Sequence, residues 1–292
     1  MKILVTGGSG FIGRNIREAL AGSHEVTAPG HRQLDLLDEV AVRSFLRQYR
    51  FDAVIHGATR PGHRNAADPT NLVYHNTRMY FNLVRNADCF GKLLFLGSGA
   101  VYDRRHYRPK MAESYFDTHV PSDEHGFSKY ICAKHLELAR NITELRLFGV
   151  FGKYEDYAIR FISNAICKTL FNLPITLRQN RRFDYLYIDD LMPVLEHFLV
   201  RDASHSAYNV TPDAAVELYA IAELVRERSG KDLPILVGEA GLGPEYSGDN
   251  ARLRREIPGL AFTSLEAAID RLYGWYAENR NSIDRQQLLV DR

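Results

Sequence analysis

Three glycines near the start of the chain, Gly7, Gly10 and Gly13, are each separated by two residues. They follow an apolar run that predicts a strand and precede a pattern that predicts a helix, which is the context of a dinucleotide-binding turn. In such a turn the first glycine allows the tight bend, the second lets a pyrophosphate approach the backbone, and the third lets helix and strand pack closely. The N–H groups and the dipole at the start of the helix attract the anion. We therefore expect this turn to bind a dinucleotide through its glycines and through Phe11 and Ile12.

The segment after the second predicted strand distinguishes the two nicotinamide dinucleotides. A carboxylate there binds the ribose 2′-hydroxyl of NAD, whereas an arginine suits the 2′-phosphate of NADP. The strand ends in Ala28-Pro-Gly-His-Arg32, and the first acidic residue after it is Asp35. His31 and Arg32 therefore favour NADP(H), with NAD as the alternative.

Strands and helices alternate through the first half of the chain, and this order predicts how the turn is positioned. Several predicted strands are apolar along most of their length, as expected for a parallel sheet covered on both faces. Strand–helix–strand units at this spacing predict a doubly wound parallel Rossmann sheet of the α/β class. The predicted strands are Ile3–Thr6, Glu25–Ala28, Ala53–His56, Leu93–Gly97 and Thr143–Phe148. The predicted helices are Phe11–Ala21, Val40–Arg50, Asn71–Cys89 and Gly126–Arg140.

The alternation loosens after Gly152, which predicts a smaller C-terminal substrate-binding lobe over the carboxyl ends of the strands, where ligands of open α/β sheets bind. The expected division is a Rossmann domain of residues 1–152 and 183–210, a substrate-binding lobe of residues 153–182 and 211–285, and a frayed tail of residues 286–292. Glycines and a proline predict loops around residues 230–243. The later predicted elements are a strand, Phe183–Ile188, and the helices Ala158–Phe171, Asp190–Val200, Val216–Ser229 and Leu265–Glu278.

Composition argues against several other classes of protein. The 292 residues carry a formal net charge of +1, so we expect no nucleic-acid partner and no anionic membrane partner. Apolar runs are all shorter than the length of about 20 residues that spans a bilayer, and we expect no signal peptide before the first strand. The 3 cysteines are far apart and the 11 histidines show no metal-binding spacing, so we expect neither disulfides nor a metal site. These observations predict a cytoplasmic protein.

Further motifs carry a resemblance to a known family. They are His56-Gly-Ala58, Asn76, Leu96-Gly-Ser-Gly-Ala-Val-Tyr102, Gly126-Phe-Ser-Lys129, Leu145-Arg-Leu-Phe-Gly-Val-Phe-Gly152 and Phe183-Asp-Tyr-Leu-Tyr-Ile-Asp-Asp190. Together with the glycine spacing, they resemble, over nearly the whole chain, the extended short-chain dehydrogenase/reductase family of NAD-dependent epimerases and dehydratases, which modify nucleotide sugars. Three stretches are most similar to the GDP-fucose synthase branch, the GDP-4-keto-6-deoxymannose epimerase/reductases, which use NADPH. These stretches are residues 32–38, 92–98 and 109–114.

The resemblance implies further cofactor contacts. Asp35 and Leu36 match the positions that meet the adenine ring. Gly57, Ala58 and Thr59 follow the third predicted strand and are expected to line the cofactor site as well. The resemblance also implies a homodimer, formed through the helices predicted at residues 71–89 and 126–140.

The resemblance implies catalytic and substrate-binding residues too. Ser98 matches the hydroxyl that hydrogen-bonds the reacting sugar oxygen. Lys129 matches the lysine that holds the nicotinamide ribose and lowers the pKa of a catalytic tyrosine. The family often presents an arginine to the nucleotide diphosphate at the position of Phe183. Arg182, with Arg181 beside it, is therefore the expected substrate contact.

The catalytic tyrosine has two candidate positions. The spacing Tyr-x-x-x-Lys occurs at Tyr130 and Lys134, whereas the family wording Tyr-Gly-x-Ser-Lys aligns with His125-Gly-Phe-Ser-Lys129. The two registers differ by a helical rotation of about 140°, so the two pairs face different ways. The Gly-x-Ser-Lys wording, with Pro121 upstream, favours the register that puts His125 in the tyrosine position.

A histidine in that position changes the chemistry. Neutral imidazole accepts a proton and imidazolium donates one, and the charge of Lys129 lowers the pKa of His125. A working His125 would thus be a good base and a reluctant acid at neutral pH. The alternative is that His125 is a polar filler in a site whose activity is weakened or lost.

Two departures from the family narrow the reaction. The cysteine and histidine that epimerise in GDP-fucose synthases are replaced by Ala100 and Tyr157, and the Thr-Asp-Glu of the 4,6-dehydratases is replaced by Ser98-Gly-Ala100. We therefore expect plain redox chemistry, namely NADP(H)-dependent reduction of a nucleotide-activated keto sugar of the 4-keto-6-deoxy type. The alternatives are an NAD-dependent nucleotide-sugar epimerase and, because of His125, a catalytically silent dinucleotide- or nucleotide-sugar-binding protein.

Overall fold

The computed structural model describes residues 1–63, 65–139 and 141–290. Its strands are β1 (Lys2–Thr6), β2 (Glu25–Thr27), β3 (Phe51–His56), β4 (Phe90–Ser98), β5 (Ile142–Leu147), β6 (Gly149–Phe151), β7 (Ile175–Asn180), β8 (Arg182–Phe183), β9 (Tyr185–Tyr187), β10 (Ala207–Val210), β11 (Val216–Glu217) and β12 (Ile235–Leu242). Its α-helices are α1 (Phe11–Leu20), α2 (Glu39–Tyr49), α3 (Leu72–Val84), α4 (Glu124–Leu136), α5 (Phe161–Leu170), α6 (Leu191–Val200), α7 (Leu218–Ser229), α8 (Ala251–Glu256), α9 (Leu265–Glu278) and α10 (Arg285–Leu288).

The central sheet has six parallel strands in the order β10-β5-β4-β3-β1-β2. From β1 the chain moves to one side to form β2 and then crosses to the other side to form β3, β4 and β5. The carboxyl ends of β1 and β3 therefore flank the point where the strand order reverses, which is where open α/β sheets bind ligands. The predicted doubly wound parallel Rossmann sheet is confirmed.

Both faces of this sheet are covered, which explains why its strands are apolar throughout. Successive side chains of a strand point to opposite faces. Leu4 packs in a cluster that includes residues of α2, α3 and α4, whereas Ile3 and Val5 pack in the cluster that includes α1 and α6. All three side chains are 0% exposed. The sheet therefore holds the glycine turn between two packed layers.

The remaining elements form three two-stranded sheets and a group of helices. The strand pairs are β7 with β12, β8 with β11, and β6 with β9. Helices α5, α7 and α9 contact one another and flank these pairs. The expectation of loops around residues 230–243 is wrong for residues 235–242, which form β12. Most side chains of β12 are exposed, so the strand has no alternation of buried and exposed residues. It is a strand because its backbone pairs with that of β7.

Other elements differ from their expected bounds. The single strand expected at residues 183–188 is divided into β8 and β9, and the helix expected from Ala158 begins at Phe161. The helix expected to end at Arg140 ends at Leu136, and Arg140 itself lies outside the described residues. Residues 286–288, expected to be frayed, belong to α10, because Leu288 packs into the core and is 1% exposed. Residues 291 and 292 of the expected tail lie outside the described part of the chain.

Three further observations concern the expectations from composition. Within the described ranges, the helices are all too short or too polar to cross a membrane. Among these same residues there is no group of three or more His, Cys, Asp or Glu side chains placed to hold a metal ion. Cys89, Cys132 and Cys167 are free thiols, and all of them are buried.

Candidate active site

The glycine turn between β1 and α1 requires glycine at two positions, Gly7 and Gly13. Gly7 has φ +74°, in the left-handed region that favours glycine, and a Cβ there would lie 2.8 Å from the amide nitrogen of Ala58. A Cβ on Gly13 would collide with the carbonyl oxygen of Gly7, so this glycine permits the close packing of α1 on the turn. By contrast, a Cβ on Gly10 would meet only the Gly7 oxygen at 3.4 Å, an ordinary contact. Packing within the protein therefore does not require glycine at position 10. A ligand that lies close to this backbone would require it, because a Cβ would occupy the same space.

The start of α1 presents backbone N–H groups to the same place. Gly10 is the N-cap residue and has no side chain to cap the helix, and the first turn contains no acidic residue. The amide of Arg14 donates to the carbonyl of Gly10 at 2.9 Å, so the regular helical bonds begin there. The preceding N–H groups have no intrahelical acceptor and carry the positive end of the helix dipole. This arrangement suits the pyrophosphate of a dinucleotide.

A cavity of about 880 Å³ lies in front of this turn, within the usual range of ligand pockets. It is bounded by the turn, by the segments after β2 and by the segment after β3. The predicted cofactor residues that line it are Gly7, Gly10, Phe11, Ile12, Gly13, Asp35, Leu36, Gly57, Ala58 and Thr59. Its size, open glycine turn and free amides fit a bound dinucleotide.

Buried hydrogen bonds hold the segment after β3 at the cavity wall. The N–H of Ala58 donates to Thr6 Oγ1 at 3.2 Å, and Thr6 Oγ1 lies 2.7 Å from Nδ1 of His56. Burial and the charge of Lys129 lower the pKa of His56 to about 3, so its ring is neutral and shares a hydrogen bond with the threonine hydroxyl. On the other side, Oδ1 of Asn76 accepts the N–H of residue 60 at 2.7 Å. The backbone that faces the ligand is thus fixed before any ligand binds.

The two basic residues after β2 occupy different places. His31 lines the cavity, and its Nδ1 lies 3.7 Å from Asp35 Oδ1. Arg32 is exposed and is not among the lining residues. Gln33 closes the turn with two hydrogen bonds to Gly30. Its backbone N–H donates to the Gly30 carbonyl at 2.8 Å, and its side-chain Oε1 accepts the Gly30 N–H at 2.9 Å. This turn, and not sequence spacing, determines which of the two side chains faces the ligand.

A second cavity, of about 570 Å³, adjoins the first. Ser98 and Ala100 at the end of β4 line it, together with aromatic and basic side chains from the C-terminal half. His125 and Arg160 line both cavities, so they lie where the two spaces meet. The predicted catalytic residues Ser98 and His125 therefore both line the second cavity.

His125 is held in the first turn of α4. The Asp123 side chain caps the helix by accepting the Gly126 N–H at 2.9 Å, and a Cβ on Gly126 would lie 2.8 Å from the carbonyl oxygen of Ala100. Gly126 thus lets α4 approach the end of β4. Burial and the charge of Lys129 lower the pKa of His125 to about 4, although Asp123 opposes this shift. With this pKa, His125 is uncharged at neutral pH.

Lys129 lies one helical turn further along and points into the protein. It is 7% exposed, and its Nζ donates to the carbonyl oxygen of Leu96 at 2.9 Å and lies 4.7 Å from the ring centre of Phe95. Burial lowers its pKa. Lys129 lines neither cavity, so this structure shows its charge acting on His125 but shows no free ammonium aimed at a ribose.

The alternative pair Tyr130 and Lys134 lies elsewhere on α4. The hydroxyl of Tyr130 donates to Asp117 Oδ1, and Lys134 Nζ donates to Asp117 Oδ2 at 3.1 Å. Neither residue lines either cavity. This geometry favours the register with His125 in the tyrosine position.

Two residues expected at the substrate site are placed outside it. The Arg182 side chain donates to Glu217 Oε1 at 3.0 Å and does not line the second cavity, whereas Arg181 does. Adjacent residues of an extended chain point in opposite directions, so only one of this pair faces the cavity. Tyr157, aligned with the epimerase histidine, is also outside the cavity, and its hydroxyl accepts the N–H of Asp284 at 2.9 Å.

Three lining residues were not predicted. Arg160, the N-cap residue of α5, lies at the junction of the cavities. Glu155 is 7% exposed and accepts the Ser163 hydroxyl at 2.6 Å, and burial raises its pKa to about 8. Tyr246 lines the second cavity from the segment after β12. None of these residues belongs to a recognisable motif, so only the tertiary fold reveals them.

Comparisons with known proteins identify the family of this chain. The chain matches the NAD dependent epimerase/dehydratase family over residues 3–211. It is 26% identical to a GDP-6-deoxy-D-talose 4-dehydrogenase from Aggregatibacter actinomycetemcomitans, across 94% of this chain and 97% of that protein.

Solved structures show the same fold. A GDP-mannoheptose C4 reductase from Campylobacter jejuni with NADP bound has a TM-score of 0.80 at 18% identity, covering 94% of this chain and 98% of that one. A GDP-L-fucose synthetase from Naegleria fowleri bound to NADP has a TM-score of 0.81 at 18% identity, covering 96% of this chain and 95% of that one. Because the family match spans most of the sequence, the chain belongs to the NAD dependent epimerase/dehydratase family, the extended short-chain dehydrogenase/reductase enzymes that use a nicotinamide dinucleotide.

Proposed function

We propose that this enzyme reduces a nucleotide-activated keto sugar of the 4-keto-6-deoxy type with NADPH. The observation that carries the proposal is the meeting of two cavities at His125 and Arg160, with Ser98 on the wall of the second. A dinucleotide in the first cavity and a sugar in the second would meet at this junction. When bound, a reduced nicotinamide supplies the hydride for the carbonyl carbon.

The segment after β2 supports NADP(H) over NAD. No carboxylate occurs between the end of β2 and Asp35, and the intervening segment contains His31 at the cavity and the exposed Arg32 beside it. A basic segment here suits a 2′-phosphate. The relatives of known structure from Campylobacter and Naegleria, both of this fold, contain NADP.

The second cavity supports a phosphorylated substrate. Arg160 and Arg181 line it, and both present planar cations suited to a diphosphate. Glu155, the acidic residue at this wall, is neutral at pH 7 because burial raises its pKa to about 8, so it does not repel an anion. The talose dehydrogenase relative is named for a GDP-6-deoxy sugar, which favours GDP as the nucleotide.

The residues at the junction then have defined tasks. Ser98 hydrogen-bonds the sugar carbonyl oxygen in this proposal, which is supported by its position at the second cavity and by the Ala100 N–H, which donates to Ser98 Oγ at 3.1 Å. His125, uncharged at neutral pH, accepts a hydrogen bond from a sugar hydroxyl or a ribose hydroxyl. Burial and the nearby charge of Lys129 keep His125 uncharged, and the hydrogen bond from Lys129 to the Leu96 carbonyl ties α4 to β4.

The proposal is tested by following NADPH consumption when purified protein is mixed with GDP-4-keto-6-deoxymannose. We expect consumption that requires the sugar and is slower with NADH. The dTDP- and UDP-linked 4-keto-6-deoxy sugars, as alternative substrates, report the preference for the nucleotide. Absence of consumption with all three sugars would contradict the proposal.

A second candidate is a protein that binds the dinucleotide and the nucleotide sugar without turnover, and the replacement of the catalytic tyrosine by His125 favours it. It predicts that the protein binds NADPH and a GDP-sugar in calorimetry yet consumes no NADPH. Gain of turnover in a His125→Tyr variant, from none in the native protein, would establish this alternative.

We also propose that residues 1–152 and 183–210 form the Rossmann domain and residues 153–182 and 211–285 the substrate-binding lobe, in a homodimeric, cytoplasmic protein. Strand β10 joins the central sheet, which supports the first part. Helices α3 and α4 pack side by side and carry the exposed aromatic residues Tyr74 and Phe127, which supports the dimer face. Sedimentation of the native protein, compared with a Tyr74→Glu and Phe127→Glu double variant, tests the assembly.

A further inference from the structure

Reduction of a carbonyl needs a proton for the oxygen, and the groups expected to deliver it are poorly suited. His125 has a pKa of about 4 and carries no proton to give at neutral pH beyond its neutral N–H. The Lys129 ammonium is bonded to the Leu96 carbonyl and lines neither cavity. The catalytic tyrosine of the family is absent from the aligned position. A different hydroxyl must therefore serve if the site is active.

Tyr246 provides a phenol hydroxyl beside Ser98, the residue expected to hydrogen-bond the carbonyl oxygen of the substrate. It lines the second cavity, and its hydroxyl lies beside the side chains of Ser98 and Tyr107 and interacts with both. A Cβ on Gly99 would lie 2.5 Å from Tyr246 Oη, so this oxygen sits directly against the chain that follows β4. Ser98 is the residue expected to hydrogen-bond the reacting oxygen, and the Tyr246 hydroxyl lies beside it.

The backbone around Tyr246 fixes this approach. Its N–H donates to the carbonyl of Arg182 at 3.0 Å, and the carbonyl of Ser247 accepts the N–H of Met111 at 3.0 Å. The ring packs against Phe148, with ring centres 5.0 Å apart. A residue from the C-terminal part of the chain is thus held firmly against the end of the central sheet.

We propose that Tyr246 is the proton donor of this enzyme, replacing the absent tyrosine by delivering a proton from its hydroxyl to the substrate oxygen beside Ser98. The inference rests on the proposed reductase function. Burial raises the pKa of Tyr246 well above its usual value, so the phenol is fully protonated at neutral pH. An alkoxide formed at the sugar carbon is a strong enough base to take that proton.

The step balances as a two-electron reduction. The carbonyl carbon gains the hydride supplied by NADPH, the C=O π electrons move to oxygen, and Tyr246 Oη transfers its proton to that oxygen. The products are the sugar alcohol, NADP⁺ and a tyrosinate. Tyr107, whose ring centre lies 4.7 Å from that of Tyr246, is partly buried near the exposed residues 104–106. Its hydroxyl then returns a proton to Tyr246, and solvent replaces the proton on Tyr107.

The decisive variant is Tyr246→Phe, which keeps the ring that packs on Phe148 and removes only the hydroxyl. Loss of a general acid costs about a hundredfold or more in rate. We therefore expect kcat to fall by at least about a hundredfold, with NADPH affinity and thermal stability close to those of the native protein. Tyr130→Phe is the matched control, because that tyrosine lies outside both cavities, and it should keep native activity. A Tyr246→Phe enzyme with near-native kcat would overturn the proposal.

A second readout does not depend on turnover. In protein labelled with ¹³C at the tyrosine Cζ, the Tyr246 signal is assigned by its absence from Tyr246→Phe. With NADP⁺ present, saturating GDP-mannose or GDP-fucose should shift this signal and leave that of Tyr130 in place. A shift in a protein that turns over no keto sugar would refute the reductase function but keep the substrate contact of Tyr246. No shift on saturation, or no binding of either sugar, would refute the role of Tyr246.

Discussion

Replacing Gly10 with alanine separates cofactor binding from folding at the glycine turn. Gly10 has φ −79° and ψ 177°, a backbone that alanine adopts without strain. An added Cβ would meet only the Gly7 oxygen, at 3.4 Å. Gly→Ala at such a site stabilises the folded state by about 0.4–1 kcal/mol, because the unfolded chain loses freedom. The same methyl group would stand between the start of α1 and a pyrophosphate.

We therefore expect the Gly10→Ala variant to keep or slightly raise its free energy of unfolding while losing at least about tenfold in NADPH affinity, or about 1.4 kcal/mol. Gly13→Ala is the matched control. Its Cβ would collide with the Gly7 carbonyl oxygen and lie 2.7 Å from Gly8 Cα. This overpacking costs about 1–3 kcal/mol of stability.

Denaturant titration gives the free energy of unfolding of both variants, and fluorescence titration gives the dissociation constant for NADPH. The expected pattern is a stable, weakly binding Gly10→Ala protein and a destabilised Gly13→Ala protein. A Gly10→Ala protein that binds NADPH like the native one would refute the reasoning, because a ligand would then have no close approach to this backbone.

Three further predictions follow from the site. Glu155→Gln removes a carboxyl whose pKa is raised by burial from 4.5 to about 8. Its protonated form stabilises the native protein fully below pH 4.5, and this stabilisation is lost as pH rises from 4.5 through 8. Thermal melts should therefore show the variant gaining stability relative to the native protein progressively above pH 4.5, with a maximum of about 5 kcal/mol above pH 8. A gain that is independent of pH would contradict this. Because His31 lines the cavity and Arg32 does not, His31→Ala should weaken NADPH binding more than Arg32→Ala does, and NADH binding should change little in either variant. Calorimetry measures these affinities. The reverse order would show that the Arg32 side chain folds over the ligand. Arg181→Ala should raise KM for the nucleotide sugar several-fold, because Arg181 lines the second cavity. Arg182→Ala breaks the pair with Glu217 and should leave KM unchanged. Equal effects on KM would mean that the two side chains rearrange on binding.

Local pattern was sufficient to predict the sheet and the glycine turn. The turn depends on three glycines within a few residues, and the fully buried strand around Leu4 is apolar because helices cover both of its faces. Strand β12 could not be found in this way, because its exposed, glycine-containing sequence carries no burial signal and its partner β7 lies far away in the chain.

The orientation of side chains was the second feature that could not be predicted from the sequence. Spacing identified basic residues at positions 31–32 and 181–182, but a turn or an extended segment decides which member of each pair faces a cavity. Tyr246 lies outside every motif quoted from the sequence, and it reaches Ser98 only because the chain after β12 returns to the end of the central sheet.

The most direct test of the account is a single-turnover reaction of GDP-4-keto-6-deoxymannose with NADPH in which both hydrogens at nicotinamide C4 are deuterium, followed by mass spectrometry and NMR of the sugar. The two-cavity arrangement at His125 and Arg160 predicts one deuterium on the sugar carbon that was the ketone, with matching formation of NADP⁺. A protein that binds both ligands and transfers no deuterium would contradict the central claim.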